Sequence, residues 1–168
     1  MDTASIRRPD ARFLLAHPAH FIALGFGSGL APFAPGTFGT LVAIPLAFLL
    51  WTYGNDVAFV TTVVVALAVG AWASQVTGRN LGSADHGSIV IDEVAAFLLV
   101  LFFVGPGAWP VLIAFVVFRA FDIAKPPPVR QVDAAFKNGV GVMADDVVAA
   151  LYTLIVMAAG RRLLVALT

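Results

Sequence analysis

The sequence predicts an all-α membrane protein, a polytopic helical bundle whose polar motif loops share the cytoplasmic face. Of its 168 residues, 60% are hydrophobic and only 12% are charged, and the mean hydropathy is +0.94. A soluble domain of this size cannot bury that many apolar side chains, and an unusually apolar soluble helical domain is the weaker alternative. Turn residues also divide the chain into four or five apolar runs, which is the pattern of membrane helices.

The chain is expected to divide into three parts. The first 20 residues are polar and basic and are predicted to form an arm on the cytoplasmic surface, with His17 and His20 as surface residues. Residues 21–160 are predicted to form a single membrane domain, and residues 161–168 a C-terminal tail.

A glycine-rich and proline-rich segment, residues 25–40, precedes the first membrane run. Four glycines and two prolines come before Phe38, so the segment cannot be a regular helix. It is either a flexible loop with glycines that let helices pack closely, or a loop that cradles a phosphate. In the second case the ligands are backbone N–H groups and the hydroxyls of Ser28, Thr37 and Thr40. The residues of this segment alone do not distinguish between these two interpretations.

The membrane runs follow in order. Residues 38–53, with a bend near Pro45, and residues 57–77 are long enough to span. Residues 89–104 and 108–121 are short for full spans, so they either cross a thinned bilayer or form a re-entrant hairpin.

A polar connection and a last run complete the chain. The connection is predicted over residues 122–144, with a turn at Gly139, and the run over residues 145–159. If the chain crosses at each run, one face carries every Lys and Arg except Arg161 and Arg162. That face is predicted to be cytoplasmic because basic residues are enriched there. The side of the C-terminus stays open.

Two acidic pairs stand at the starts of apolar runs. Asp92-Glu93 and Asp145-Asp146 are each followed by valine, small residues and an apolar stretch. Carboxylates beside hydrocarbon are costly, and a divalent cation is the strongest candidate to compensate them. Oxygen ligands without sulfur favour Mg²⁺ or Mn²⁺. The alternative is that these acids complement helix dipoles at N-termini.

Further polar groups lie close to these pairs in the sequence. Arg119, Asp122 and Lys125 are spaced three apart, which predicts either an ion-pair ladder on one helix face or a lysine placed to bind a phosphoryl group. His86 is either a general acid or metal ligand, or a histidine satisfied by backbone. Together these groups suit hydrolysis of a phosphate monoester on a lipid.

Other classes of function fit less well. Net charge is zero and basic residues are not clustered, so nucleic acid is not an expected partner. The absence of cysteine excludes thiol catalysis. A small cation-coupled transporter is the alternative from a different class, but the acids lie at run ends rather than near the bilayer midplane.

Five motifs in order resemble the phosphatidylglycerophosphatase A family. They are GFGSGLAP at 25–32, PGTFG at 35–39, DHGSIVIDE at 85–93, DIAKP at 122–126 and GVGVMADD at 139–146. The resemblance implies a Mg²⁺-dependent phosphatase of the bacterial inner membrane. Its substrate would be the phospholipid phosphatidylglycerophosphate, and its products phosphatidylglycerol and phosphate. Oligomeric state is not indicated.

Site roles are expected on the motif residues. Metal binding is assigned to both acidic pairs, Asp92, Glu93, Asp145 and Asp146. Catalytic roles are assigned to Asp92, Glu93, Asp122, Lys125 and His86. Phosphate or substrate binding is assigned to Ser28, Gly29, Gly36, Thr37, Ser88 and Lys125.

Overall fold

The computed structural model describes residues 8–127 and 138–167, and these residues form α-helices and one 3-10 segment without any β-strand. The predicted all-α class is therefore confirmed. In chain order the helices are α1 (Ala11–Ala16), α2 (Pro18–Ala23), the 3-10 segment Gly25–Leu30, α3 (Pro35–Tyr53), α4 (Asp56–Leu81), α5 (Ile91–Val104), α6 (Ala108–Ala124) and α7 (Gly139–Leu167).

The short helix α5 forms the centre of the bundle. It packs against α3, α4, α6 and α7, and nine of its 14 residues are buried. Phe97 is fully buried and contacts the rings of Phe115 and Phe118 on α6. The close packing of these side chains stabilises the bundle through van der Waals contacts and holds the start of α5 at one end of the core.

Within residues 8–127 and 138–167, three helices are long and apolar enough to cross a membrane. They are α3, α4 and α7, with 19, 26 and 29 residues. Helices α5 and α6 have 14 and 17 residues, or about 21 and 26 Å at 1.5 Å per residue, against a hydrocarbon thickness of about 30 Å. The predicted membrane bundle is confirmed, while the number of crossings and the division at residues 20 and 160 stay predictions.

Helix α7 begins earlier than predicted. The expected turn at Gly139 is wrong, because Gly139 is the first residue of the helix. Asn138 Oδ1 accepts the backbone N–H groups of Val140 and Gly141 at 3.1 and 2.9 Å, which caps the helix start. A Cβ on Gly139 would overlap the carbonyl oxygen of Ala71, so glycine here permits close contact with α4.

The polar connection is shorter than residues 122–144, since α6 continues to Ala124 and α7 starts at Gly139. Its basic residues Arg130 and Lys137, like Arg7 in the arm, lie outside the described residues. Helix α3 continues through Pro45 without interruption.

The reading of His20 as a surface residue is wrong. The residue is 4% exposed, and its ring stacks on Phe13 with centroids 4.0 Å apart. His20 Nδ1 donates to the Phe13 carbonyl at 2.9 Å, and Nε2 accepts from the Asn80 amide at 2.8 Å. This pairing docks α2 onto α4, whereas His17 is exposed as predicted.

The glycine-rich segment is irregular over residues 25–34, as expected. The prediction is wrong for residues 35–40, which begin the regular helix α3, because a proline at the first helical position needs no N–H partner. Phe26 and Gly27 have φ angles of 59° and 104°, so the backbone turns through the left-handed region between two short 3-10 turns. A Cβ on Gly29 would overlap the carbonyl oxygen of Ser88. Val90 N–H donates to Ala23 O at 2.9 Å. These contacts fix the loop before α5 and thereby the direction of its first turn.

Candidate active site

Three carboxylates from two helices converge on one point. Asp92 and Glu93 lie in the first turn of α5, and Asp146 is the eighth residue of α7. One oxygen from each of the three side chains lies within 4.8 Å of the others. We call these three residues the acidic centre. Because α7 starts at Gly139, Asp146 is inside a helix, so the helix-dipole explanation does not apply to it.

The acidic centre is buried and incompletely hydrogen bonded. Asp92 and Asp146 are 8% and 3% exposed. Among the described residues, no hydrogen-bond donor reaches Asp92 Oδ1, Glu93 Oε2 or Asp146 Oδ2. Buried anionic oxygens without donors are costly. Hard oxygen ligands in this arrangement fit a divalent cation such as Mg²⁺ or Mn²⁺.

Asp145, the fourth predicted metal ligand, faces a lysine. Lys125 Nζ donates to Asp145 Oδ2 at 2.8 Å. Lys125 ends α6 with φ and ψ of 41° and 59°, in the left-handed region. The expected ladder along one face of α6 therefore includes Arg119 and Asp122, which form an ion pair, while Lys125 turns towards α7.

Arg119 lies in the site, although the sequence pattern gave it no catalytic or binding role; the same holds for Asp85. Arg119 Nη1 lies 3.6 Å from Glu93 Oε1 and pairs with Asp122 Oδ2. It also donates to Thr40 Oγ1 at 3.5 Å. Only 14% of its side chain is exposed. The available signal was an arginine inside an apolar 17-residue helix, since a charge in such a helix indicates a functional site by default.

A cavity of about 250 Å³ brings these groups together. Carboxylates, an arginine and a lysine share its wall, so it presents both anionic metal ligands and cationic groups for a bound anion. The charged residues that line it are Asp85, Asp92, Glu93, Arg119, Asp122, Lys125, Asp145 and Asp146.

His86 lies beside the cavity in the loop before α5. Its Nδ1 accepts the Ser88 N–H at 3.1 Å, and its buried Nε2 contacts no hydrogen-bond partner in the described part of the chain. Burial lowers the pKa of His86 below its usual value, although the charge of Asp85 opposes that shift. Because Nδ1 accepts the Ser88 N–H, the neutral imidazole carries its proton on Nε2, so this nitrogen is a hydrogen-bond donor.

The predicted phosphate-binding residues of the glycine-rich segment make contacts within the protein. Ser28 Oγ donates to Gly25 O at 2.8 Å. The N–H groups of Gly29 and Thr37 donate to Leu24 O and Ala34 O, both at 2.9 Å. In the described part of the chain, the cavity lining includes none of these three residues, nor Gly36 and Ser88.

Gly36 nevertheless contacts the acidic centre. A Cβ at this position would overlap Glu93 Oε1 and lie 3.2 Å from Arg119 Nη1. Gly36 therefore leaves the space in which the carboxylate of Glu93 and the guanidinium group of Arg119 meet. This close packing is the first of the two interpretations that the glycine pattern allowed.

Comparison with known proteins gives consistent results. A family model described as Phosphatidylglycerophosphatase A matches residues 21–161. A Phosphatidylglycerophosphatase A from Haemophilus influenzae is 40% identical over 150 residues, covering 89% of this chain and 92% of that protein. One from Escherichia coli K12 is 38% identical over 140 residues, covering 83% and 81%.

A third relative has a different name. It comes from Bacteroides thetaiotaomicron, is provisionally named a phosphatidylinositol-3-phosphatase, and is 39% identical over 153 residues, covering 83% of this chain and 91% of that protein. No solved structure matches the chain. Since the family model spans most of the chain and two relatives near 40% identity carry the family's name, the chain belongs to the phosphatidylglycerophosphatase A family and is a phosphoric monoester hydrolase.

Proposed function

We propose that this protein hydrolyses the phosphate monoester of phosphatidylglycerophosphate, releasing phosphatidylglycerol and phosphate, in a reaction that requires Mg²⁺. The observation that carries the proposal is the acidic centre, which shares one cavity with Lys125 and Arg119. The substrate follows from the names of the Haemophilus and Escherichia relatives.

The acidic centre supplies the metal ligands. Asp92, Glu93 and Asp146 would hold the cation through the oxygens that no described donor satisfies. Bound Mg²⁺ supplies charge neutralisation on the phosphate and a lowered pKa for a water molecule. Asp145 would hold Lys125 in place and join the metal shell when that lysine moves to substrate.

The cationic residues bind the phosphate. The ammonium group of Lys125 and the guanidinium group of Arg119 line the cavity, so they attract the phosphate oxygens and stabilise the charge that develops on them. Asp122 fixes Arg119 through their ion pair. Water forms the new P–O bond as the bond to the glycerol oxygen breaks, one water proton ends on that oxygen, and the diacyl part stays in the membrane.

We place the reaction at the cytoplasmic face of the bacterial inner membrane. The charge distribution of the loops supports this orientation. The first turn of α5 carries Asp92 and Glu93, so the acidic centre lies at a helix end, where the phosphate of a membrane lipid can reach it.

Phosphate release by purified protein in detergent tests the proposal. The lipids are phosphatidylglycerophosphate, phosphatidic acid and phosphatidylinositol 3-phosphate, each with Mg²⁺ or EDTA. We expect release from the first lipid with Mg²⁺ and none with EDTA. Release in EDTA would contradict the metal requirement, and faster release from either other lipid would contradict the substrate assignment.

A further inference from the structure

Helix α7 contacts the segment that carries Lys125 at three points. Lys125 Nζ donates to Asp145 Oδ2 at 2.8 Å. Tyr152 Oη donates to the Pro127 carbonyl at 2.9 Å. The Tyr152 ring also packs on Phe121, with centroids 5.4 Å apart. Tyr152 thus contacts the chain on both sides of Lys125.

The spacing on α7 explains how one helix makes all these contacts. Asp145 and Tyr152 are seven residues apart, which is close to two turns, so both side chains lie on the same face. Asp145 reaches the end of the lysine side chain, and Tyr152 reaches the backbone that follows it. Helix α7 therefore contributes to the position of the ammonium group and of the backbone from which it extends.

The backbone of Lys125 needs such support. Its φ of 41° is in the left-handed region, which is unfavourable for a residue with a side chain. Its N–H donates to Phe121 O at 2.9 Å, the same residue whose ring contacts Tyr152. A conformation of this kind persists when surrounding contacts determine it.

The geometry points to Tyr152 as a positioning residue for Lys125, acting through the Pro127 carbonyl and the Phe121 ring. This inference rests on the proposed function, in which Lys125 binds the phosphate of the lipid. Tyr152 itself is not in the cavity lining as described. A tyrosine that only anchors the protein at the membrane interface is the competing explanation.

Tyr152→Phe separates the two explanations, because it keeps the ring and removes the one hydroxyl. The chain has two tyrosines, and Tyr53, which is 82% exposed at the end of α3, provides the matched control Tyr53→Phe. We expect kcat/KM for phosphatidylglycerophosphate to fall about three- to tenfold in Tyr152→Phe, the range for loss of one hydrogen bond. Tyr53→Phe is expected to match the unmodified protein.

A double-mutant cycle tests whether the effect passes through Lys125. In a Lys125→Ala background, Tyr152→Phe is expected to lower kcat/KM no further, because the group it positions is gone. An equal loss in both backgrounds, or no loss in the single variant, would overturn the inference. Mn²⁺ binding is expected to be unchanged in Tyr152→Phe, whereas general damage to the fold would weaken it.

Hydrogen exchange gives a readout that does not depend on activity. The Lys125 amide is expected to exchange faster in Tyr152→Phe and at the normal rate in Tyr53→Phe. Equal exchange in both variants would overturn the positioning role even if phosphate release behaved as proposed. Failure of the unmodified protein to release phosphate would instead refute the proposed function.

Discussion

Arg119 on α6 lies next to Glu93 on α5, with Nη1 3.6 Å from Oε1. The same nitrogen pairs with Asp122, so one guanidinium group compensates two carboxylates at the edge of the acidic centre. Glu93 Oε1 faces Arg119, whereas no described donor reaches the other oxygen of this carboxylate, Oε2. The two oxygens of one carboxylate thus have separate surroundings.

Replacing Arg119 by glutamine is expected to destabilise the protein strongly. Glu93 and Asp122 would lose their shared counter-charge, and breaking a buried pair in this way costs about 3–5 kcal/mol. Thermal unfolding in detergent measures the effect. Arg119→Lys keeps the charge but not the planar fork, so its loss is expected to be smaller. Equal stability of the glutamine variant and the unmodified protein would refute this role.

Replacing Asp92 or Asp146 by asparagine is expected to have opposite effects with and without metal. In EDTA the variants should unfold at a higher temperature, because one of several crowded negative charges is removed. With Mn²⁺ the unmodified protein should gain stability by binding, while the variants bind at least about tenfold more weakly. Mn²⁺ titration followed by unfolding measures both. The control is Asp56→Asn, which changes an exposed carboxylate on α4. Normal Mn²⁺ binding by the Asp92 or Asp146 variant would contradict the assignment of that residue as a ligand.

Gly36→Ala is expected to weaken Mn²⁺ binding and phosphate release. The added methyl group would overlap Glu93 Oε1 and press on Arg119, displacing the carboxylate from the acidic centre. Gly160→Ala is the matched control, since in the described part of the chain no atom outside the neighbouring residues and backbone of its own helix lies within 4 Å of a Cβ there. Alanine is also favoured over glycine within α7 by about 1 kcal/mol. Unchanged metal binding in Gly36→Ala would show that this contact is not needed.

The stability contributed by His86 is expected to depend on pH below about 6.5. Burial lowers the pKa of His86 in the folded protein, so the unfolded chain takes up the proton first as the pH falls. The free energy of unfolding therefore includes the full contribution of His86 at a pH above the pKa of the unfolded chain. This contribution is lost, by up to about 1.4 kcal/mol per pH unit, as the pH falls from that value to the lower pKa of the folded protein. His86→Asn offers an oxygen to the Ser88 N–H without titrating. Unfolding temperatures from pH 7.5 to 5 should fall less in this variant, and parallel curves would refute the assignment.

The sequence predicted which acidic residues lie at the site, but not which partner each of them faces. Charges beside apolar runs predicted that Asp92, Glu93, Asp145 and Asp146 are metal ligands. Helical geometry predicted that the two members of a pair point about 100° apart. Which member of the second pair faces which partner depends on how α7 rotates against α5 and α6. No local pattern encodes that rotation, so the pairing of Asp145 with Lys125 emerged only from the structure.

Contacts between distant residues account for the remaining differences. Arg119 and Glu93 come from different helices, and their meeting depends on the space left by Gly36 on a third. His20 is buried where its Nε2 accepts a hydrogen bond from the side-chain amide of Asn80, 60 residues away in the sequence. Helix periodicity and composition describe single elements, so they predicted the all-α class but not these tertiary pairs.

The placement of the acidic centre on two helices has a consequence for biogenesis. Asp92 and Glu93 emerge from the ribosome with α5, Arg119 follows with α6, and Asp146 arrives with α7. The nascent chain thus acquires a counter-charge for Glu93 before the third carboxylate joins. In the proposed function the cation site is complete only when α7 has docked against α5, so we expect insertion intermediates that lack α7 to be inactive.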